Sequence, residues 1–141
     1  MKAVTLLVVA LSLSLTSMRP VPQTYIDRLK GLRGTPYAEL DCAQFINAAH
    51  QPNLDCTSQD MYKGCFGTMA VVADVPTVDE AERLNLQAGD VLDFHGVHVA
   101  VYVGDGQYMD SDPAHGGVGD MKVRNPDAWF QGPVRILRWK R

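Results

Sequence analysis

The sequence predicts an α+β domain in which early helices pack on an antiparallel sheet. Three observations carry this expectation. Tyr25, Ile26, Leu29 and Leu32 form an apolar stripe at helical spacing, and Phe45, Ile46 and Ala49 form another directly after the pair Asp41-Cys42. Further on, Val97, Val99, Val101 and Val103 alternate with His98, Ala100 and Tyr102, the period of a strand. With 141 residues and 46% hydrophobic content, the chain can build one core and not two, so residues 18–141 are read as a single domain.

The elements follow in order. Residues 1–17 hold Lys2, an apolar run from Ala3 to Leu15 and a small residue at Ser17, the layout of a secretory signal peptide. The run is too short to favour a membrane span, and no cysteine follows it to take a lipid. A secreted or periplasmic location is expected. The first mature helix runs from about Tyr25 to Leu32, stopped by Gly34 and Pro36. The second runs from Cys42 to Ala49: Asp41 is a strong N-cap type, Gln44 stands three residues on as in a capping box, and Pro52 marks the end.

Cys42 therefore opens a helix, where free backbone N–H groups and the helix dipole favour a thiolate. The same position would suit a small buried core residue. Two other cysteines, Cys56 and Cys65, flank "TSQDMYKG", a short helix or turn. A disulfide closing that loop and a pair of separate thiols are both open readings; the bridge would leave Cys42 as the free thiol.

Residues 66–86 carry the least signal and are read as a surface connection with the apolar "MAVVADV" partly buried. The sheet is expected to begin near Val91, with strands at Val91 to Phe94, Val97 to Val103 and Gln107 to Asp110, and a last strand around Val134, Ile136, Leu137 and Trp139.

A nucleophilic cysteine needs a histidine to share its proton and a third group to hold that histidine. Of four histidines, His98 alone lies within an expected strand, on the face away from the valines. His50 ends a helix, His95 lies in a turn and His115 in a Gly/Pro-rich loop, all read as solvated positions. Hairpin register then tests the third group. A two-residue Asp105-Gly106 loop would pair Asp110 with Val101, on the face opposite His98. A three-residue loop, Gly104-Asp105-Gly106, sets Ala100 opposite Asp110 and His98 opposite Asp112. Asp110 is then diagonal to His98, close enough for a carboxylate to orient an imidazole. Asp112 is read as a turn residue before Pro113.

The net charge of −3, without Lys/Arg clusters, leaves no electrostatic footprint for nucleic acid.

Together, "LRGTPY", "DC" opening an apolar-faced helix, "QAGDVLDF", "HVAVYVGDGQYMD" and the closing "AWFQGPVRILR" resemble the NlpC family of papain-like cell-wall cysteine peptidases along nearly the whole mature chain. The resemblance implies a papain-like fold, Cys42 as nucleophile, His98 as general base and Asp110 in the third position, where the family commonly has histidine. Tyr37 matches a tyrosine that family members place near the oxyanion. The implied reaction is hydrolysis of an amide in peptidoglycan stem peptides, most often after D-glutamate, with no cofactor. The chain departs from the family in "DCAQF", where Asp-Cys-Ser-Gly-Phe is usual, and in lacking a Gly-rich insert between Tyr37 and Asp41. Both departures touch the substrate cleft.

Two other classes stand beside this reading. A metal-dependent hydrolase could draw on His95, His98, Asp110, Asp112 and His115, although that leaves Cys42 without a role. An acyl transferase or a binding domain could keep the same fold.

Overall fold

A computed structural model describes residues 20–50, 54–121 and 132–140. The expected signal segment, residues 1–17, and Pro52 lie outside the described residues. In chain order the elements are α1 (Gln23–Gly31), α2 (Cys42–His50), α3 (Ser58–Tyr62), β1 (Met69–Val75), α4 (Val78–Glu82), β2 (Val91–Asp93), β3 (Val99–Gly104), β4 (Gln107–Asp112), β5 (Gly117–Asp120) and β6 (Val134–Trp139). The strands form one antiparallel sheet in the order β1-β6-β2-β3-β4-β5, so the α+β expectation holds. No helix among the described residues is long and apolar enough to cross a membrane.

The two apolar stripes read from the sequence meet on one side of the sheet. Tyr25, Ile26 and Leu29 of α1 and Phe45, Ile46 and Ala49 of α2 join Val99, Val101 and Val103 of β3 and Met109 of β4 in one buried cluster. Leu92, Ala100, Tyr108 and Ile136 belong to a second cluster with Val78 and Ala81 of α4. The period-two alternation of β3 thus serves two cores, one on each face. A buried ion pair pins the sheet: Arg138 of β6 donates from Nε and a terminal nitrogen to both oxygens of Asp90, each at 2.8 Å, and Asp90 is 1% exposed.

Three expectations are corrected. The sheet begins at Met69, not near Val91, because "MAVVADV" is edge strand β1, paired with β6. Its ladder is made by backbone groups, while Val71 and Val72 face water, so no alternation marked it. Val97, expected in the strand, is 66% exposed. Left-handed His95 and Gly96 (φ 55° and 73°) turn the chain there, and the Val97 N–H bonds the Phe94 carbonyl. His50, read as solvated, stacks on Trp139 with ring centroids 3.9 Å apart and meets Tyr25 edge-on.

The β3–β4 hairpin reaches the expected register by another device. Its tip is a two-residue turn, Asp105-Gly106, both left-handed at φ 53° and 72°, closed by Gly104 opposite Gln107. A bulge at Val103 absorbs one residue, so Tyr102 faces Tyr108 and Val101 faces Met109. Continued along the strands, that register sets Ala100 opposite Asp110, as the three-residue loop would have done.

Candidate active site

Cys42 occupies the first turn of α2, held by the capping box that the sequence implied. The Gln44 N–H donates to the Asp41 carboxylate at 2.8 Å, and the Asp41 N–H donates to the Gln44 side-chain oxygen at 3.0 Å. Cys42 is a free cysteine and is buried. Cys56 and Cys65 are bridged, with Cα atoms 5.6 Å apart.

The bridged segment touches both halves of the site. Asn47 of α2 donates to the Cys56 carbonyl at 2.7 Å. Ser58 of α3 donates to the Gly96 carbonyl at 2.7 Å, and the Tyr62 and His95 rings lie 5.2 Å apart. The β2–β3 turn that precedes His98 is therefore held from α3 and, within itself, by the Gly96 N–H bonding the buried Asp93 carboxylate at 2.6 Å. Burial pushes that carboxyl up to about 7, against the Gly96 bond and the nearby Arg135 and His98 charges.

His98 and Asp110 meet as the register argument required. His98 Nε2 lies 2.9 Å from Asp110 Oδ2; a carboxylate only accepts, so the imidazole donates. That leaves Nδ1 for Cys42, which also hydrogen-bonds His98. Burial alone would lower the His98 imidazolium, but the bonds to Asp110 and Cys42, and their charges, outweigh it and raise His98 to about 9. The imidazolium should persist through neutral pH and be lost only as pH rises through about 9. In an NMR titration the His98 ring protons are expected to shift near pH 9. Asp110→Asn should bring the midpoint down further than Cys42→Ser does. A midpoint near 6.5, the ordinary histidine value, would show that the pairing is absent in solution.

Tyr37 borders the same site. Partial burial, and then the neighbouring charges of Cys42, Asp41 and Asp112, raise its phenol. Its loop is docked on β5: the Gly34 N–H bonds the Val118 carbonyl and the Val118 N–H bonds the Thr35 carbonyl, each at 2.9 Å, with Pro36 bridged to Gly117.

His115, expected as a solvated loop position or one of five candidate metal donors, instead joins the site through Asp110. It ends a 3-10 turn, Pro113–His115, and its Nε2 lies 2.8 Å from Asp110 Oδ1. A usable signal was present in "DSDPAHGG": Asp112 before Pro113 caps a turn, and a tight turn brings residue 115 back beside residue 110.

Of the five residues considered for a metal, His98, Asp110 and Asp112 offer donor atoms within 4.8 Å of one another. His95 sits against Tyr62 instead. Both Asp110 oxygens already accept from imidazoles, and Asp112 Oδ1 accepts the Ala114 N–H at 2.9 Å.

Chemically, the arrangement joins a thiol at a helix N-terminus, an imidazole that can take its proton, and a buried carboxylate that orients the imidazole and offsets its charge. No family model matches the chain, and no curated protein matches it.

Proposed function

We propose that the protein is a papain-like cysteine hydrolase that cleaves an amide bond in peptidoglycan stem peptides. The observation that carries the chemistry is the line from Cys42 through His98 to Asp110, with its 2.9 Å imidazole–carboxylate bond. In the proposed reaction the Cys42 sulfur attacks the amide carbonyl carbon. His98 delivers its proton to the leaving amine and then takes one from the water that releases the acyl group. The Cys42 N–H and the Tyr37 hydroxyl would steady the oxyanion, and one such donor can contribute about 3 kcal/mol. The substrate class rests on the family resemblance, as does action outside the cytoplasm, most often at the bond after D-glutamate.

A digest of purified peptidoglycan read by mass spectrometry tests the reading. New amine and carboxyl ends at one stem-peptide bond are expected, whereas acyl transfer to an added amine would favour the transferase. In the same assay Asp110→Asn should fold normally and lose about 100-fold in turnover, because an amide cannot offset the imidazolium charge. Asp112→Asn should lose less than about fivefold, provided both variants melt like the parent. The reverse order of effects would mean the third group is misassigned.

The second reading, a metal-dependent hydrolase, is favoured by the closeness of His98, Asp110 and Asp112. Activity that survives a chelator and is lost to iodoacetamide decides for the thiol.

A further inference from the structure

We propose that His115 is a positioning residue of this site, holding the Asp110 carboxylate that in turn holds His98; the proposal rests on the thiol-hydrolase reading above. Asp110 is 1% exposed, and a carboxylate removed from water needs a donor on each oxygen. His98 serves Oδ2 at 2.9 Å and His115 serves Oδ1 at 2.8 Å. Both imidazoles donate from Nε2, so the carboxylate is gripped from two sides and its rotation is fixed.

The backbone is arranged to put His115 there. Asp112 caps the turn through the Ala114 N–H, and left-handed Gly116 (φ 87°) leads the chain out of it into β5. Gly119 lies opposite Asp110 in the β4–β5 pairing. A Cβ at Gly119 would lie 3.4 Å from His115 Nδ1 and 3.5 Å from Cε1, so the ring occupies the space that a side chain of β5 would otherwise claim. The His115 side chain is 31% exposed while that of Asp110 is 1% exposed. His115 thus stands between the carboxylate and solvent. Without it, Oδ1 loses its donor, the carboxylate is free to turn toward entering water, and the bond to His98 weakens. His115 acts through Asp110, and is for that reason a positioning residue and not a catalytic one.

The test reads the Cys42 thiol directly, so it needs no substrate. Alkylation by iodoacetamide is followed from pH 5 to 10 in the parent, His115→Ala, His115→Gln, Gly119→Val and Asp110→Asn, with melting curves for each. The parent's rate at pH 6, where His98 is an imidazolium, is the reference. His115→Ala should slow that reaction about tenfold at pH 6 and leave it unchanged at pH 10, where any thiol is ionised. His115→Gln, whose amide can donate to Oδ1, should recover most of the rate. Gly119→Val, which keeps the imidazole but crowds it, should reproduce the loss. If His115→Ala lowers stability too far to assay, the glutamine and valine variants carry the decision. A His115→Ala profile like the parent's, alongside a shifted Asp110→Asn profile, overturns the role of His115 and leaves the Cys42–His98–Asp110 reading intact. A uniform loss at every pH marks a merely structural residue and also overturns it. An Asp110→Asn profile like the parent's overturns the underlying reading and this proposal together.

Discussion

Cys42→Ser is expected to abolish hydrolysis, with turnover at least about 1,000-fold below the parent, while the melting temperature stays within a few degrees. The side chain sits at the first turn of α2 among apolar neighbours, and a hydroxyl there is nearly isosteric with the thiol. The difference is acidity: an alcohol keeps its proton beside His98 where a thiol can surrender it, so the attacking species is lost although the geometry survives. His98→Ala should cost about as much, and the double variant little more, because residues that act as one unit are not additive. Mass spectrometry should find a single iodoacetamide adduct on the native parent, at Cys42, since Cys56 and Cys65 are bridged. A Cys42→Ser variant that still cleaves peptidoglycan would remove the thiol from the mechanism.

Gly117→Ala should be the most damaging glycine substitution. Gly117 has φ 137°, a conformation that side chains rarely adopt, and a Cβ there would overlap the Thr35 carbonyl oxygen and lie 2.8 Å from the Tyr37 nitrogen. These are backbone atoms of the loop that carries Tyr37, and they cannot step aside as a flexible side chain could. A loss of about 3 kcal/mol, or roughly 10 °C in melting temperature, is expected. Gly106→Ala provides the comparison: φ is 72° but nothing lies within 4 Å of the added Cβ, so only the backbone preference is lost, about 1 kcal/mol. Thermal melts of the two variants check the contrast. Equal melting temperatures would mean that the loop is not docked on β5.

What the sequence made legible was local. The capping box needs only Asp41 and Gln44, three residues apart, and both of its hydrogen bonds form. The stripes of α1 and α2 follow from helical period, and the His98–Asp110 pairing follows from counting along one hairpin. The elements that escaped notice depend on distant partners. β1 has water on most of its side chains and exists because β6 offers it a ladder. β5, "GVGD", has no strand propensity to speak of and is held between β4 and the Gly34–Pro36 segment. His115 looked like a loop histidine because its only distinguishing feature is where a capped turn delivers it.

The bulge at Val103 gives the hairpin one residue of slack. Gly104 faces Gln107 at the tip and Tyr102 faces Tyr108 beyond the bulge, so deleting Val103 leaves Tyr102, Val101 and Ala100 opposite the same partners, and deleting Gly106 is taken up by a Gly104-Asp105 turn closed by Val103 opposite Gln107. A second deletion has no bulge to draw on: it slides β4 by one position, sets Asp110 opposite Val99 and exchanges the directions of Asp110 and Ser111. Ser111 now donates to the Leu40 carbonyl beside the start of α2; after the second deletion it would look away, and a carboxylate would be driven in among Val99, Val118 and the helices. The site therefore survives the loss of one residue from this hairpin and not of two.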